Sequence, residues 1–372
     1  MNTDPTSPAS SGPVIAHLLS NRWNSAITEY AVHAARALGM AGIPQVFVAL
    51  KGSAGARRAA AAGLEVVEVE RFSLMQLPDV TRAIRSERLR AVFVYGGAET
   101  FLAKWLKGSF RNLKVIRFRG DDRDATRKTD GLLQQLSQSH IDLFLAPSDF
   151  IASRLDGRAR KVEPGIDPER IHRVSPADPG PGARRDCVIL GRLDPVKGHD
   201  LFFRVFAQML ATHGPDAYSL RVVGEPANLS LVHLEHKARE AGLTPGKNVF
   251  FTTDRVEDIS GLLSSACAGI VCSAGSEIIC RVAQEFLVCG TPVAVSGVGS
   301  LAEIPVKGDG IVYGAFRSPV VEEKLWDFLE CSRQETKDQR EARASRSLSR
   351  FSLESMSRHL VDVLSSLGIS LP

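Results

Sequence analysis

The chain has 372 residues, which is long for one compact core and sufficient for two domains. An apolar fraction of 44% with 24% charged residues is ordinary for a globular protein and excludes disorder outside termini and loops. The net charge of +4, from 46 basic and 42 acidic residues, excludes a typical nucleic-acid-binding protein.

Residues 1–13 are rich in Ser and Pro, which predicts a flexible tail without the basic and apolar regions of a secretory signal. The six cysteines form no C-x-x-C pair, which argues against a zinc site and a disulfide framework. No window reaches the roughly eighteen uninterrupted apolar residues that a membrane span needs. These features predict a soluble, cytoplasmic protein with reduced and mostly buried thiols.

Short apolar runs alternate with longer amphipathic segments in both halves of the chain, which predicts two βαβ-type domains. Because the runs are rich in Val, Ile and Leu with little alternation, the strands are expected to be buried in parallel sheets. The strands predicted for the first half are 14–19, 45–50, 65–69, 91–95, 114–118 and 142–146. Those predicted for the second half are 186–190, 219–223, 248–251, 269–272, 292–295 and 310–312.

An amphipathic segment between the fourth and fifth predicted strands combines aromatic residues with cations. These residues are Phe101, Lys104, Trp105, Lys107, Phe110, Arg111 and Lys114. An ordinary helix with one core face and one solvated face accounts for the pattern and is the more common case. The alternative is a helix that rests on an anionic membrane, which predicts peripheral contact with the inner face of the plasma membrane.

The segment 188–200 reads Val-Ile-Leu-Gly-Arg-Leu-Asp-Pro-Val-Lys-Gly-His-Asp, an apolar strand that leads through a basic loop into a helix. Gly191 allows a ligand to approach the backbone closely. Arg192 and Lys197 supply two cations, and the helix that opens near Gly198 adds free N–H groups. This combination predicts a turn that binds a phosphate or a diphosphate. A Pro- and Gly-rich stretch at 174–182 precedes the segment and is typical of an interdomain linker.

Further motifs follow in a fixed order. Glu277 and Glu285 are separated by seven residues, Gly-Thr-Pro-Val-Ala-Val-Ser lies at 290–296, and Gly-Ser-Leu-Ala-Glu lies at 299–303. Together with the GRLxxxKG loop, they resemble the nucleotide-sugar half of the GT-B glycosyltransferases, specifically glycosyltransferase family 4, closely over residues 185–315. The resemblance implies an α/β fold of two Rossmann-like domains whose parallel sheets face each other across a cleft. It also implies a metal-independent transfer that retains the anomeric configuration of the sugar.

The resemblance assigns roles on the donor side. Arg192 and Lys197 correspond to cations that hold the leaving diphosphate, and such cations accelerate the step because they bind the developing charge most tightly. Glu285 corresponds to the carboxylate that accepts the ribose hydroxyls, and Glu277 to the one near the donor sugar. The remaining donor-side candidates are Gly191, Gly224, Glu225, Ile278, Ile279, Cys280, Arg281 and Glu303.

The sequence departs from the family at two places. The usual EGFG reads Glu-Ile-Ile-Cys at 277–280, which leaves the identity of the donor open. Arg281, which follows directly, is either a third cation for the phosphates or a surface charge, and Glu303 either contacts the ribose or caps a turn. The glycine pair expected after the first strand is replaced by Ser-Asn-Arg-Trp-Asn-Ser at 20–25.

Asn21, Arg22 and Trp23 are therefore the candidates for the acceptor side, although a tryptophan that covers the core is an equal alternative. Asp121 follows the fifth strand, where open α/β sheets place ligands, and corresponds to a family position near the reacting face of the sugar. The sequence Asp-Arg-Asp at 122–124 matches the D-x-D metal motif superficially and is better explained as a charged surface loop.

The predicted organisation is a tail (1–13), an acceptor-side domain (14–172), a linker (173–184), a donor-side domain (185–347) and a helix (348–372) that returns to the first domain. The predicted function is sugar transfer from a nucleoside-diphosphate sugar to a glycan or lipid-linked acceptor, in bacterial surface polysaccharide or lipopolysaccharide synthesis. Motifs of dehydrogenases, P-loop proteins and serine hydrolases are missing. The alternative is a non-catalytic GT-B protein that binds a nucleotide sugar, a glycan or a partner glycosyltransferase.

Overall fold

The computed structural model describes residues 14–85, 87–120, 138–155, 157–174, 182, 185–275, 277–314 and 319–371. The chain divides into two compact units: unit 1 comprises Met1–Gly165 with Ser352–Pro372, and unit 2 comprises Ile166–Phe351. The chain thus enters unit 2 at Ile166, ahead of the predicted linker. Residues 175–181 of that linker and the predicted tail lie outside the described residues.

Unit 1 contains a parallel seven-stranded sheet of order β3-β2-β1-β4-β5-β6-β7. Its strands are β1 (Val14–Leu19), β2 (Gln45–Leu50), β3 (Val66–Val69), β4 (Leu89–Val94), β5 (Lys114–Phe118), β6 (Leu143–Ala146) and β7 (Ala159–Lys161). The helices described between them are α1 (Ala26–Met40), α2 (Ala54–Ala61), α3 (Leu77–Ala83), α4 (Gly97–Ser109) and α5 (Asp149–Ala152). Ser25 caps α1 and Ser53 caps α2, each through its side-chain oxygen.

Unit 2 contains a parallel six-stranded sheet of order β10-β9-β8-β11-β12-β13. Its strands are β8 (Asp186–Leu190), β9 (Ser219–Val223), β10 (Val249–Thr252), β11 (Ala268–Val271), β12 (Val293–Ser296) and β13 (Gly310–Tyr313). Its helices are α6 (His199–His213), α7 (Leu231–Glu240), α8 (Ile259–Ser265), α9 (Arg281–Val288), α10 (Pro319–Gln334) and α11 (Lys337–Phe351). The last helix, α12 (Leu353–Ser366), belongs to unit 1 and packs against α1.

The prediction of two parallel sheets is confirmed, and every predicted strand is present with ends that differ by at most two residues. The strands were recognisable because their apolar side chains are buried: β1, β6, β11 and β12 are buried along their whole length. The sequence analysis missed β7, a three-residue edge strand whose two basic residues are exposed.

Each sheet has one switch point, where the strand order reverses. In unit 1 it lies between β1 and β4, which pair with Ile15 opposite Ala91. In unit 2 it lies between β8 and β11, which pair with Ala268 opposite Cys187. Open α/β sheets bind ligands outside the carboxyl ends of the strands at such a point. The loops that follow these four strands are therefore the first places to look for a site.

Buried arginines help to hold α11 against the rest of unit 2. The guanidinium of Arg340 is fully buried and donates to the carbonyl oxygens of Ala266 (2.8 Å) and Cys267 (2.8 Å). That of Arg343 donates to the carbonyl oxygens of Gly290 (3.0 Å) and Gly308 (2.8 Å). These carbonyls lie just before β11, β12 and β13, so the arginines tie the helix to the amino edge of the sheet.

The six cysteines are free thiols, and all except Cys331 are buried. None of the helices in the described part of the chain is long and apolar enough to cross a membrane.

Candidate functional site

The loops that follow β8 and β11 are held together at the switch point of unit 2. Gly198 has a left-handed backbone (φ +67°), and a Cβ at this position would lie 2.2 Å from the carbonyl oxygen of Cys272. The N–H of Ala274 donates to the carbonyl of Val196 at 2.9 Å. Because only glycine fits both the conformation and the space, Gly198 fixes one loop on the other.

Lys197 and Glu277 meet across these two loops. The ammonium Nζ of Lys197 donates to Oε1 of Glu277, and the hydroxyl of Ser273 donates to the same oxygen at 2.6 Å. The two charged side chains are 28% and 13% exposed, so the ion pair is partly buried but open to a ligand on one side. The aliphatic part of Lys197 runs along Gly191, where a Cβ would lie 3.9 Å from Cε. The structure therefore unites three predicted residues and adds Ser273.

Arg192 precedes Lys197 in the same loop and is exposed, and its guanidinium makes no hydrogen bond or ion pair with the residues that the structure describes. The turn that carries it is fixed by backbone contacts. A Cβ on Gly224 would lie 1.8 Å from the carbonyl oxygen of Gly191. The N–H of Leu193 donates to the carbonyl of Glu225 at 2.9 Å, while the side chain of Glu225 is exposed. Arg192 thus lies on a turn fixed by backbone contacts, with its guanidinium unpaired among the described residues.

The turn 277–280 keeps a glycine-like conformation without glycine. Cys280 has φ +53°, and the side chains of Ile278, Ile279 and Cys280 are buried. Burial raises the pKa of the Cys280 thiol, and the nearby carboxylates of Glu277 and Glu303 act in the same direction, so the thiol stays protonated. The last glycine of the family's EGFG corresponds to this position, which suggests that the backbone path is retained by a strained cysteine.

Arg281 and Glu285 form an ion pair within α9, at 2.8 Å between Nη2 and Oε1. Both side chains are largely buried, with 16% and 8% exposure. Arg281 is therefore not a plain surface charge, since it is held one helical turn from Glu285. Glu303 lies in the short helical turn Leu301–Glu303, where its backbone N–H donates to the carbonyl of Ser300 at 3.2 Å.

In unit 1, the predicted acceptor loop follows β1 at the other switch point. Asn21 organises it, because its amide donates to Ser25 Oγ at 2.7 Å and its oxygen accepts from the N–H of Trp23 at 3.0 Å. Trp23 is 76% exposed, so the alternative that it covers the core is wrong. Arg22 is also exposed, and its carbonyl accepts from the N–H of Ala54 at 3.2 Å. The loop presents an aromatic ring and a cation on an ordered backbone.

Glu99, which the sequence analysis did not select, lies at the same switch point. It is fully buried in the first turn of α4, and its Oε1 accepts from the N–H of Ser20 at 3.2 Å. Burial raises the pKa of this carboxyl, although the hydrogen bonds from Ser20 oppose the shift. The sequence around it, Gly-Gly-Ala-Glu-Thr, contains no motif that predicts a buried carboxylate at this switch point.

The predictions for Asp121 and for metal independence are not tested by the described residues. Asp121 and the charged loop 122–124 lie outside the described residues. No cluster of three or more potential metal ligands occurs among the residues that were described, and metal independence stays a prediction.

Comparison with known proteins finds similar sequences and similar folds. Residues 184–323 match the family model described as "Glycosyl transferases group 1". The D-inositol 3-phosphate glycosyltransferase 2 of Catenulispora acidiphila is 30% identical over 209 residues, which are 51% of this chain and 47% of that protein. The chain thus covers about half the length of this curated relative.

Solved structures resemble the whole chain. The Anabaena protein HepE, solved in complex with UDP, has a TM-score of 0.78 at 15% identity, with 95% of this chain and 100% of that chain covered. The lipopolysaccharide outer core galactosyltransferase WaaB, in its apo form, has a TM-score of 0.68 at 12% identity, with 95% and 99% covered.

The two Rossmann-like units, each with one parallel sheet, therefore define a GT-B fold. The part of unit 2 that matches the family model described as "Glycosyl transferases group 1" contains both Lys197 and Glu277.

Proposed function

We propose that this protein is a glycosyltransferase that moves a sugar from a nucleoside-diphosphate sugar to an acceptor. The observation that carries the proposal is the Lys197–Glu277 pair at the switch point of a group 1 domain. There a cation suited to phosphate and a carboxylate suited to sugar hydroxyls are held side by side. The curated relative is named a glycosyltransferase, and the Anabaena structure contains UDP, which supports the same reading.

In the proposed reaction, the bond between the anomeric carbon and the diphosphate oxygen breaks, and a bond to the acceptor oxygen forms on the same face. The acceptor hydroxyl gives its proton to the leaving phosphate oxygen, so no protein base is needed. Arg192 and Lys197 would hold the negative charge that develops on the diphosphate. Glu277 would orient the donor sugar, and Glu285 would accept the ribose hydroxyls.

The same two cations support a reaction that needs no resident metal. Among the described residues, the guanidinium of Arg192 has no ion-pair partner, and the ammonium of Lys197 pairs with Glu277 alone. Both cations are therefore positioned to neutralise a diphosphate. Turnover is expected to survive an excess of EDTA. A loss of turnover that Mg²⁺ or Mn²⁺ restores would contradict this part of the proposal.

On the acceptor side, we place the glycan near the loop of Asn21, Arg22 and Trp23. An exposed indole on an ordered loop provides a flat apolar face, and Arg22 adds a cation. We propose an acceptor in bacterial surface polysaccharide or lipopolysaccharide synthesis, the pathway that the name of the similarly folded WaaB also indicates. We further propose that the reaction takes place on the cytoplasmic side of the membrane.

Peripheral membrane contact through α4 fits a lipid-linked acceptor. Phe101 and Trp105 lie one turn apart and are 55% and 48% exposed, with Lys104 exposed between them. Lys107 does not contribute, because its ammonium binds Asp142 at 2.7 Å. The aromatic pair and Lys104 would enter the interface of an anionic bilayer.

Sedimentation with vesicles tests this contact. The wild type is expected to bind vesicles of phosphatidylglycerol and not those of phosphatidylcholine, and the double variant F101S/W105S is expected to lose most of the binding. The matched control is L74S/M75S, which removes two other exposed apolar side chains of unit 1. Equal binding by all three proteins would contradict the membrane proposal, and α4 would then be an ordinary helix with one core face and one solvated face.

The transfer itself is tested by release of nucleotide. The protein is incubated with UDP-, GDP- and ADP-sugars and with acceptor extracts, and the released diphosphate is measured for wild type and for Lys197→Ala. Release with one donor, lost in the variant, is the expected result, and NMR of the product then shows whether the anomeric configuration is retained. No release with any donor, together with intact binding of one of them, would favour the non-catalytic alternative.

A further inference from the structure

The last turn of α11 contacts the loop that carries Glu303. In Arg350, Nη1 donates to the carbonyl oxygen of Ile304 at 3.1 Å and Nη2 donates to that of Glu303 at 3.0 Å. One planar guanidinium thus holds two consecutive carbonyls, a geometry that the single ammonium of lysine does not reproduce.

This loop in turn supports Glu277. The N–H of Ser300 donates to the carbonyl of Glu277 at 2.8 Å. Gly299 has φ +59°, and a Cβ there would lie 2.2 Å from the same carbonyl. The backbone of Glu277 therefore rests directly on residues 299–300, and the carbonyl of Ser300 accepts in turn from the N–H of Glu303 at 3.2 Å.

The surroundings of Arg350 make this arrangement firm. Its guanidinium lies over the ring of Phe351 at 4.5 Å from the centroid. Phe351 belongs to the same buried apolar cluster as Cys280, Leu301 and Ile304, so this cluster includes residues of both the turn 277–280 and the loop 299–304. Loss of the guanidinium would free the carbonyl side of the loop while the apolar side stays packed.

We infer that Arg350 is a positioning residue of the donor site: it fixes the loop 299–304, and through Ser300 it sets the position of Glu277. The inference rests on the proposed function, since it assumes that Glu277 contacts the donor sugar. A merely structural role of Arg350 in attaching α11 is the competing explanation, and the test must separate the two.

Arg346 provides the matched control. It lies one turn earlier on α11, and its Nη2 binds Asp309 at 2.8 Å at the amino edge of β13. Arg346→Ala therefore removes a different side-chain attachment of the helix, one made to Asp309 and not to the carbonyls of Glu303 and Ile304. Arg350→Lys keeps the charge but lacks the planar fork whose two nitrogens donate to the two carbonyls.

Two readouts are compared in wild type, Arg350→Ala, Arg350→Lys and Arg346→Ala. The first is hydrogen exchange at the amides of Ser300 and Ile304, which needs no ligand. The second is calorimetric affinity for UDP-glucose, GDP-mannose and ADP-glucose. In Arg350→Ala we expect exchange at both amides to rise about tenfold and the affinity for the bound nucleotide sugar to fall about tenfold, as the loss of ordinary hydrogen bonds allows. Arg350→Lys should lie between, and Arg346→Ala should match wild type.

If Arg350→Ala shows the exchange and the affinity of the wild type, the inference about Arg350 is overturned and the proposed function is unaffected. Equal loss in Arg346→Ala and Arg350→Ala would also overturn it, in favour of a purely structural role. If Arg350→Ala does not fold, the same comparison between Arg350→Lys and Arg346→Ala decides. A wild type that binds none of the nucleotide sugars would overturn the proposed function and the inference with it.

Discussion

Lys197 and Glu277 form an ion pair although they are 80 positions apart, because the strands that precede them, β8 and β11, are neighbours at the switch point of unit 2. Neither charge is fully buried, so the pair avoids the large desolvation cost of an interior salt bridge. In the proposed function, a diphosphate that approaches Lys197 would replace part of its carboxylate contact and leave Glu277 available to sugar hydroxyls.

The first prediction concerns Lys197→Ala. Removal of a cation that stabilises the leaving group costs about 3–4 kcal/mol of transition-state stabilisation, which lowers turnover by roughly 10²–10³. The measurement is initial-rate nucleotide release, with circular dichroism to show that the fold is intact. Lys247→Ala, an exposed lysine at 3.7 Å from Asp216, is the control and should keep full turnover. Near-normal turnover of Lys197→Ala would refute the assignment of this residue.

The second prediction compares Cys280→Gly with Cys280→Ala. Both changes remove the buried sulfur, but only glycine relieves the left-handed conformation at φ +53°. The glycine variant should therefore be the more stable by about 1 kcal/mol, the reverse of the order expected inside a helix. Urea unfolding of the two variants measures the difference. A more stable alanine variant would show that position 280 is not strained.

The third prediction concerns acid sensitivity through His17. This side chain is fully buried on β1, donates from Nε2 to Gln45 Oε1 (2.8 Å) and accepts at Nδ1 from the Tyr95 hydroxyl (2.7 Å). Burial lowers its pKa to about 4, while the hydrogen bond with Gln45 opposes the shift. The unfolded chain, with a pKa of about 6.5, takes up a proton first as the pH falls. The stability is complete above pH 6.5 and declines toward pH 4, by about 2–3 kcal/mol at pH 4.5.

Thermal unfolding at pH 7.5 and pH 4.5 checks this sign. The fall in Tm between the two pH values should be smaller in His17→Gln than in wild type, even if the variant is less stable at pH 7.5. The exposed His236→Gln serves as the control and should show the wild-type fall. An unchanged pH dependence in His17→Gln would contradict the account.

The fourth prediction concerns Arg340→Met. The change removes a fully buried guanidinium and leaves the carbonyls of Ala266 and Cys267 without their donor. Breaking a buried charged network of this kind costs about 3–5 kcal/mol. The matched control on the same helix is Lys337→Ala, which breaks an exposed pair with Glu341 and should cost about 0.3–0.5 kcal/mol. Similar Tm values for the two variants would contradict a structural role for Arg340.

The sheets were predictable because their strands are short apolar runs rich in Val, Ile and Leu, and such runs indicate burial on both faces of a sheet. The attachment of α11 was not predictable in the same way. Its sequence is rich in arginine, which a periodicity argument places in solvent, whereas Arg340 and Arg343 are buried against backbone carbonyls. Carbonyl acceptors leave no trace in a sequence, because every residue carries one.

The features of the candidate site also fall into two groups, those that the sequence could predict and those that required the structure. The loop at 191–198 and the turn at 277–280 were predictable because each is a contiguous segment in the connection that follows a predicted strand. The contact of Arg350 with Glu303 depends on which elements are neighbours, and the local contact of Ser273 with Glu277 depends on the path of the loop that carries both, so the two contacts required the structure. The roles of the individual residues in binding and catalysis stay predictions.

The most direct test of the central claim is thermal unfolding of wild type and Lys197→Ala with UDP, GDP and ADP. A nucleotide at about a hundred times its dissociation constant adds about 2.7 kcal/mol to the stability of the protein that binds it. The account predicts a clear rise in the Tm of wild type with one nucleotide and a much smaller rise in the variant. Equal rises in both proteins, or none with any nucleotide, would contradict a diphosphate site at Lys197.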